Sequence, residues 1–147
     1  MQQRDPNYGR QQEPQSIRTP VGMSEDERTW SMIAHLSVLL NLITGLGGPV
    51  AALIIWLVYK DRSQRIAFHA LQSLWYQIAW IVILAVGWSI TVVLMFVLIG
   101  FLLIPVMMLV SLVPFIHQCY AAYKVYQGVD YRYPIIADMI DGGRRIA

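Results

Sequence analysis

Three histidines, His35, His69 and His117, stand in or beside long stretches that carry no charged residue. Amides accompany them at Asn41, Gln72, Gln77 and Gln118. Gln72 falls one helical turn beyond His69 on the same face, and Tyr76 continues that stripe one turn later. Imidazoles in such a setting can ligate a metal or haem, relay protons, or hydrogen-bond between helices. The first two uses need company that the sequence does not supply. There is no His-x3-His pair and no Cys-x2-Cys, and no carboxylate lies inside the apolar stretches. No metal and no cofactor is therefore assigned. His35, Asn41, His69, Gln72, Gln77 and His117 are read as a polar cluster that joins helices, since a polar side chain in hydrocarbon must find a partner.

These residues need elements to carry them. The chain has 147 residues, of which 56% are hydrophobic and 14% charged, with mean hydropathy +0.49. Soluble domains average about 25% charged residues, so a soluble fold of this size would lack charge for its surface. No Asp, Glu, Lys or Arg occurs in residues 29–59, nor in residues 66–123. A membrane-spanning helix takes about 20 apolar residues, so the first stretch exceeds one span and the second must hold two. The reading is an all-α integral membrane protein. A net charge of +2 gives no reason to invoke nucleic acid.

Four helices follow. Ser24 with Glu27 forms a capping-box signature that opens a first helix over about 25–44. Gly45-Leu46-Gly47-Gly48 reverses the chain, and Pro49 suits the first position of a second helix ending near Tyr59. That helix is too short to cross an average bilayer upright, so it is short or re-entrant. A third helix is expected over about 64–98 and a fourth over about 102–127, broken apart at Gly100 and Pro105. Residues 1–23 are polar and rich in Gln, Pro and Arg; they read as a disordered tail without a cleavable signal peptide. Residues 24–128 form the four-helix domain. Residues 129–147 form a C-terminal tail with a short interfacial helix from Pro134 to Ile140.

The basic residues set the orientation. They lie in the N-terminal tail, in the loop of Lys60, Arg62 and Arg65, and at the C-terminal end from Lys124 onward. Two helical hairpins place all three groups on one side, which the positive-inside rule assigns to the cytoplasm, with both termini. The location is then a prokaryotic cytoplasmic membrane, crossed several times. Trp30, Trp56, Tyr59, Tyr120, Tyr123 and Tyr126 cluster near the charged ends, as an interfacial belt does. Tyr131-Arg132-Tyr133 reads as one more anchor at that interface, and the lone Cys119 as a small side chain in an apolar segment.

A series of short motifs then falls in order: Trp30 with His35-Leu36, Pro49 through Ile55-Trp56-Leu57, Lys60-Asp61-Arg62-Ser63, Phe68-His69-Ala70-Leu71-Gln72, and Gly128-Val129-Asp130-Tyr131-Arg132-Tyr133-Pro134. Over about 24–134 the chain resembles a widespread prokaryotic family of small multi-pass membrane proteins of unknown function. That family is similar to the small four-helix subunit of the chloroplast inner-envelope protein translocon. Trp75-Tyr76 departs from the Asn-Phe pair usual there. The resemblance implies four helices with both termini in the cytoplasm, and it implies no catalytic residues.

No nucleophile elbow or phosphate-binding loop is present either. The functional reading is a non-enzymatic membrane scaffold or accessory subunit, with a translocation link by resemblance only. Its partners are the bilayer and other membrane proteins or further copies of itself. Two alternatives stay open: an oligomeric channel or transporter component with His35, Asn41, Gln72 and Gln77 along its path, and a haem or metal protein using the histidines.

Overall fold

The computed structural model describes residues 22–146, so the expected disorder of the N-terminal tail lies outside the described residues apart from its last two. Every regular element among them is helical. α1 spans Glu25–Leu36, a 3-10 segment Ser37–Leu40, α2 Asn41–Thr44, α3 Gly47–Tyr59, α4 Gln64–Met95, α5 Ile99–Tyr126 and α6 Pro134–Ile146.

Ser24 caps α1 as its sequence requires: its Oγ accepts from the Glu27 amide while the Glu27 carboxylate accepts from the Ser24 amide. The expected single helix over 25–44 is not uniform. It tightens to 3-10 geometry at Ser37, whose hydroxyl donates back to the Ala34 carbonyl and competes with the backbone ladder. Gly45, at φ +77°, turns the chain into α3, and Asn41 Oδ1 accepts from the Gly48 amide to fasten that turn. Ser63 caps α4 by accepting from the Ile66 amide.

The tip between α4 and α5 differs from expectation. The break falls at Phe96–Leu98, where three successive amides bond carbonyls three residues back and Leu98 adopts φ +64°. Gly100 and Pro105 both lie inside α5. Gly100 serves the tip in another way: a Cβ there would collide with the Met95 amide and the Thr91 carbonyl. α6 likewise runs past the expected end at Gly142-Gly143.

α1 lies against both α4 and α5, α3 packs on α4, and α6 folds back onto α4. Side-chain pairs give the directions. His35 meets His69 and Ser37 meets Gln77, so α1 runs parallel to α4, while Gln118 meets Ser73 and His117 meets Tyr76, so α5 runs antiparallel. Small residues let the helices approach: Ala34, Ala52, Ala70, Ala121 and Ala122 are all buried.

Among the described residues, α4 and α5 are the two helices long and apolar enough to cross a membrane. At 1.5 Å per residue they measure about 48 and 42 Å. Nearly all of the most apolar part of each is uncovered, unlike the core helix of a soluble protein. The α1–α3 turn closes against Gln77 and, through Gly45, borders α4 as far as Leu84; from there to Met95 α4 climbs about 17 Å further with α5 as its neighbour. The molecule thus has a thick end built from all the helices and a two-helix projection.

Candidate functional site

Every polar residue singled out from the spacing is in the thick end. α1 and α4 bring His35 and His69 into direct contact, Nε2 to Nδ1 at 3.3 Å, both fully buried. Asn41 donates to Gln77 Oε1, and Gln77 Nε2 donates to Ser37 Oγ and Ser73 Oγ. Ser73 Oγ also lies 2.7 Å from the Ala34 carbonyl and 3.2 Å from Gln118 Oε1, joining α4 to α1 and to α5. Gln72 faces elsewhere and donates to the Tyr131 carbonyl at 3.2 Å.

His117 does not join the other two histidines. The ring of Tyr133 stands between, with centroids 5.7 Å from His35 and 5.0 Å from His117, and stacks on Tyr76 at 4.4 Å and 16°. Tyr76 Oη and Tyr131 Oη hold the two nitrogens of His117 at 2.7 and 2.8 Å.

The connector after α5 completes the cluster. Gly128, at φ +83°, lets the chain leave α5 and turn back over the bundle. Asp130 then reaches His69, Oδ1 to Nε2 at 2.9 Å, although Nε2 makes no in-line hydrogen bond. Tyr133 Oη stands 3.4 Å from His35 Nδ1. One tautomer assignment satisfies the row: Tyr133 donates to His35 Nδ1, His35 Nε2–H to His69 Nδ1, and His69 Nε2–H faces the carboxylate. The row runs from a buried phenol to a half-exposed acid.

Two expectations are corrected here. The histidines do have an acidic partner: Asp130 lies outside both uncharged stretches, and only the fold back of the connector delivers it. Tyr133 is not a surface anchor but one of the most deeply buried aromatic rings. The run Gly128 to Pro134 was visible as a motif, yet nothing in its spacing shows that it packs against α1, α4 and α5.

Outside the helices the electrostatics are simple. The close polar contact with His69, aided by Arg65 and Arg132, holds the Asp130 carboxyl below its ordinary value against the opposing effect of burial. Burial pushes the Tyr131 and Tyr133 phenols up, so both stay neutral donors at any ordinary pH. In the basic loop, Arg65 pairs with Glu27 at 3.7 Å, Lys60 lies over the Trp56 ring, and Arg62 is exposed. Arg132 pairs with Asp141 and covers the Phe68 ring, which fixes the connector to α6.

The arrangement is a bonded network rather than an open centre. His35 Nε2 and His69 Nδ1 are bonded to each other, so a haem or metal held by these two nitrogens would have to displace that contact. Among the described residues, no three His, Cys, Asp or Glu side chains are grouped to hold a metal ion.

Comparison with known proteins agrees with a membrane setting. A UPF0132 membrane protein of Archaeoglobus fulgidus is 34% identical over 107 residues, covering 72% of this chain and 86% of that protein. No solved structure matches. Residues 26–140, which hold the whole polar network and the connector, match the magnetosome magnetite crystal formation protein family, and this membrane protein belongs to that family.

Proposed function

We propose that the chain is a non-enzymatic, multi-pass scaffold or accessory subunit of a membrane assembly. In this reading two hairpins enter from the cytoplasmic side, the α4–α5 hairpin crosses the bilayer, and the shorter α1–α3 hairpin is re-entrant. Both termini stay in the cytoplasm of the cell that holds it. One observation carries the proposal: the polar network is taken up by the chain's own helices and connector, while the two-helix projection from Val82 to Val113 is apolar and open on its outer faces. Chemistry needs a free reactive group, and lateral assembly needs an uncovered face.

The positive-inside rule supports the orientation. The resemblance to a translocon subunit supports the accessory role. Magnetite formation, the role printed for the family, fits assembly rather than mineral contact in this orientation, because the side opposite the cytoplasm is formed from residues 29–59 and 66–123, which carry no carboxylate to meet iron. Crosslinking in native membranes followed by mass spectrometry tests the role: a stable partner or a defined homo-oligomer is expected. A chain recovered only as a partner-free monomer overturns it. Labelling of single thiols placed in the N-terminal tail, at Arg62 and at Ile99 tests the orientation, with the first two reactive from the cytoplasm and the third from the opposite side.

A further inference from the structure

A groove of about 350 Å³ opens where the start of α6 crosses the outer faces of α4 and α5. This volume falls in the range of small-molecule sites, roughly 300–1,000 Å³. Ala79 and Trp80 form its floor, Tyr133 closes its inner end, and Pro134, Ile135 and Ile136 form its roof. The floor exists because Ala79 is small between the bulkier Tyr76 and Trp80. The roof exists because the buried Tyr133 draws the connector inward while Ala137 and Ile140 bind α6 to Phe68. The groove is thus a product of the connector's fold back and not of the helix pair alone.

Its surroundings say what occupies it. Tyr76 stands about 16 Å along α4 from Arg65, and His117 about 10 Å along α5 from Lys124. Those depths lie below the headgroups and among acyl chains. The wall is nearly all apolar, because the hydroxyl of Tyr133 and the ring nitrogens of His117 are turned to their own partners. His117, Tyr120 and Lys124 share one stripe of α5, and the Lys124 ammonium lies over the Tyr120 ring, 5.5 Å from its centroid. Lys124 makes no ion pair among the described residues. A phospholipid with one acyl chain in the groove would bring its phosphate to the level of that ammonium.

We infer that the groove under the start of α6 is a specific site for an anionic phospholipid, with an acyl chain along Ala79 and Trp80 and its phosphate at Lys124. The inference rests on the orientation proposed above. The ordered connector both seats the lipid and depends on the His35–Tyr133 contact, so lipid and connector are coupled.

The test is native mass spectrometry of the full chain from nanodiscs of equal phosphatidylglycerol and phosphatidylcholine. One retained phospholipid per chain is expected, with phosphatidylglycerol favoured roughly five-fold, the worth of one lysine near an anionic surface. Ala79→Phe fills the floor and lowers retention of both lipids at least several-fold. Ala79→Leu makes the same test with a smaller intrusion, should the phenylalanine disturb folding. Lys124→Gln keeps retention and abolishes the preference. A wild-type chain that retains no lipid, or an Ala79→Leu variant that retains as much as wild type, overturns the site. A preference unchanged in Lys124→Gln overturns the phosphate contact. Thiol labelling in the same preparation separates the premises: lipid loss with the labelling pattern intact counts against the groove alone.

Discussion

His69 Nε2 stands 2.9 Å from Asp130 Oδ1, a fully buried imidazole on α4 held by a carboxylate from the chain beyond α5. This contact closes the thick end of the molecule. It connects a buried row of side chains, Tyr133, His35 and His69, to the aqueous edge. It also makes the C-terminal segment part of the helical bundle and not an appendage.

The Asp130 contact sets an acid limit on the connector. The folded carboxyl sits below its ordinary value of 3.8, so the charged form favours the docked state. That contribution is complete above the ordinary value and is lost as pH falls through the lowered one. Because Asp130 is about half exposed, the effect is modest, about 0.5–1 kcal/mol as for other solvent-screened pairs. Asp130→Asn is expected to raise the rate of proteolytic cleavage between Gln127 and Pro134 at neutral pH. Wild type should show the same rise only below about pH 4, by an acid-stable protease. Equal cleavage of both proteins at neutral pH argues against the latch.

Removing His35 strands two partners. His35→Ala leaves His69 Nδ1 and Tyr133 Oη without their contacts inside a buried site. Each unsatisfied buried group costs about 1–3 kcal/mol, so a total loss of about 2–6 kcal/mol is expected. A double-mutant cycle of His35→Ala with His69→Ala, read by denaturant unfolding in detergent, should give a coupling of about 0.5–2 kcal/mol. Additive losses would mean that the two imidazoles act separately.

Gly48 has no room for a methyl group. A Cβ there would overlap Gln77 Oε1 and lie 2.8 Å from both Asn41 Oδ1 and the Ser37 carbonyl oxygen. Gly48→Ala should therefore destabilise the α1–α3 hairpin by about 1–3 kcal/mol through overpacking and disruption of the Asn41–Gln77 bond. Gly45→Ala meets open space but a left-handed backbone, and should cost about 1 kcal/mol. The order of the two melting temperatures checks the assignment.

Tyr131→Phe separates the two halves of the aromatic cluster. It removes the hydroxyl that holds His117 Nε2 but keeps the ring against Tyr120 and Tyr133. The expected loss is about 1 kcal/mol, the net worth of one hydrogen bond. His117→Phe should cost more, since Tyr76 and Tyr131 both lose their partner. Thermal unfolding of the two variants in one detergent gives the comparison.

The sequence by itself determined that the chain is helical and where α1 and α4 begin, but not the break between α4 and α5 nor the end of α6. Charge-free stretches define apolar length, Ser24 caps α1, and Gly45 turns α2 into α3, because each of these depends on local chain chemistry or on a run of composition. It also picked out the buried imidazoles and amides His35, His69, Gln72, Gln77 and Gln118, since such a group in an apolar run must be satisfied somewhere, but not the buried Ser37 and Ser73 that bond to Gln77. Which partners satisfy them was decided by the tertiary structure alone. Asp130 and Tyr133 follow α5 in sequence and look like ordinary interfacial residues; only the turn at Gly128 and the close approach of helices lined with alanines carry them onto His69 and His35. The groove beneath α6 has the same origin, because a cavity between three elements depends on how they dock and leaves no periodic trace in any one of them.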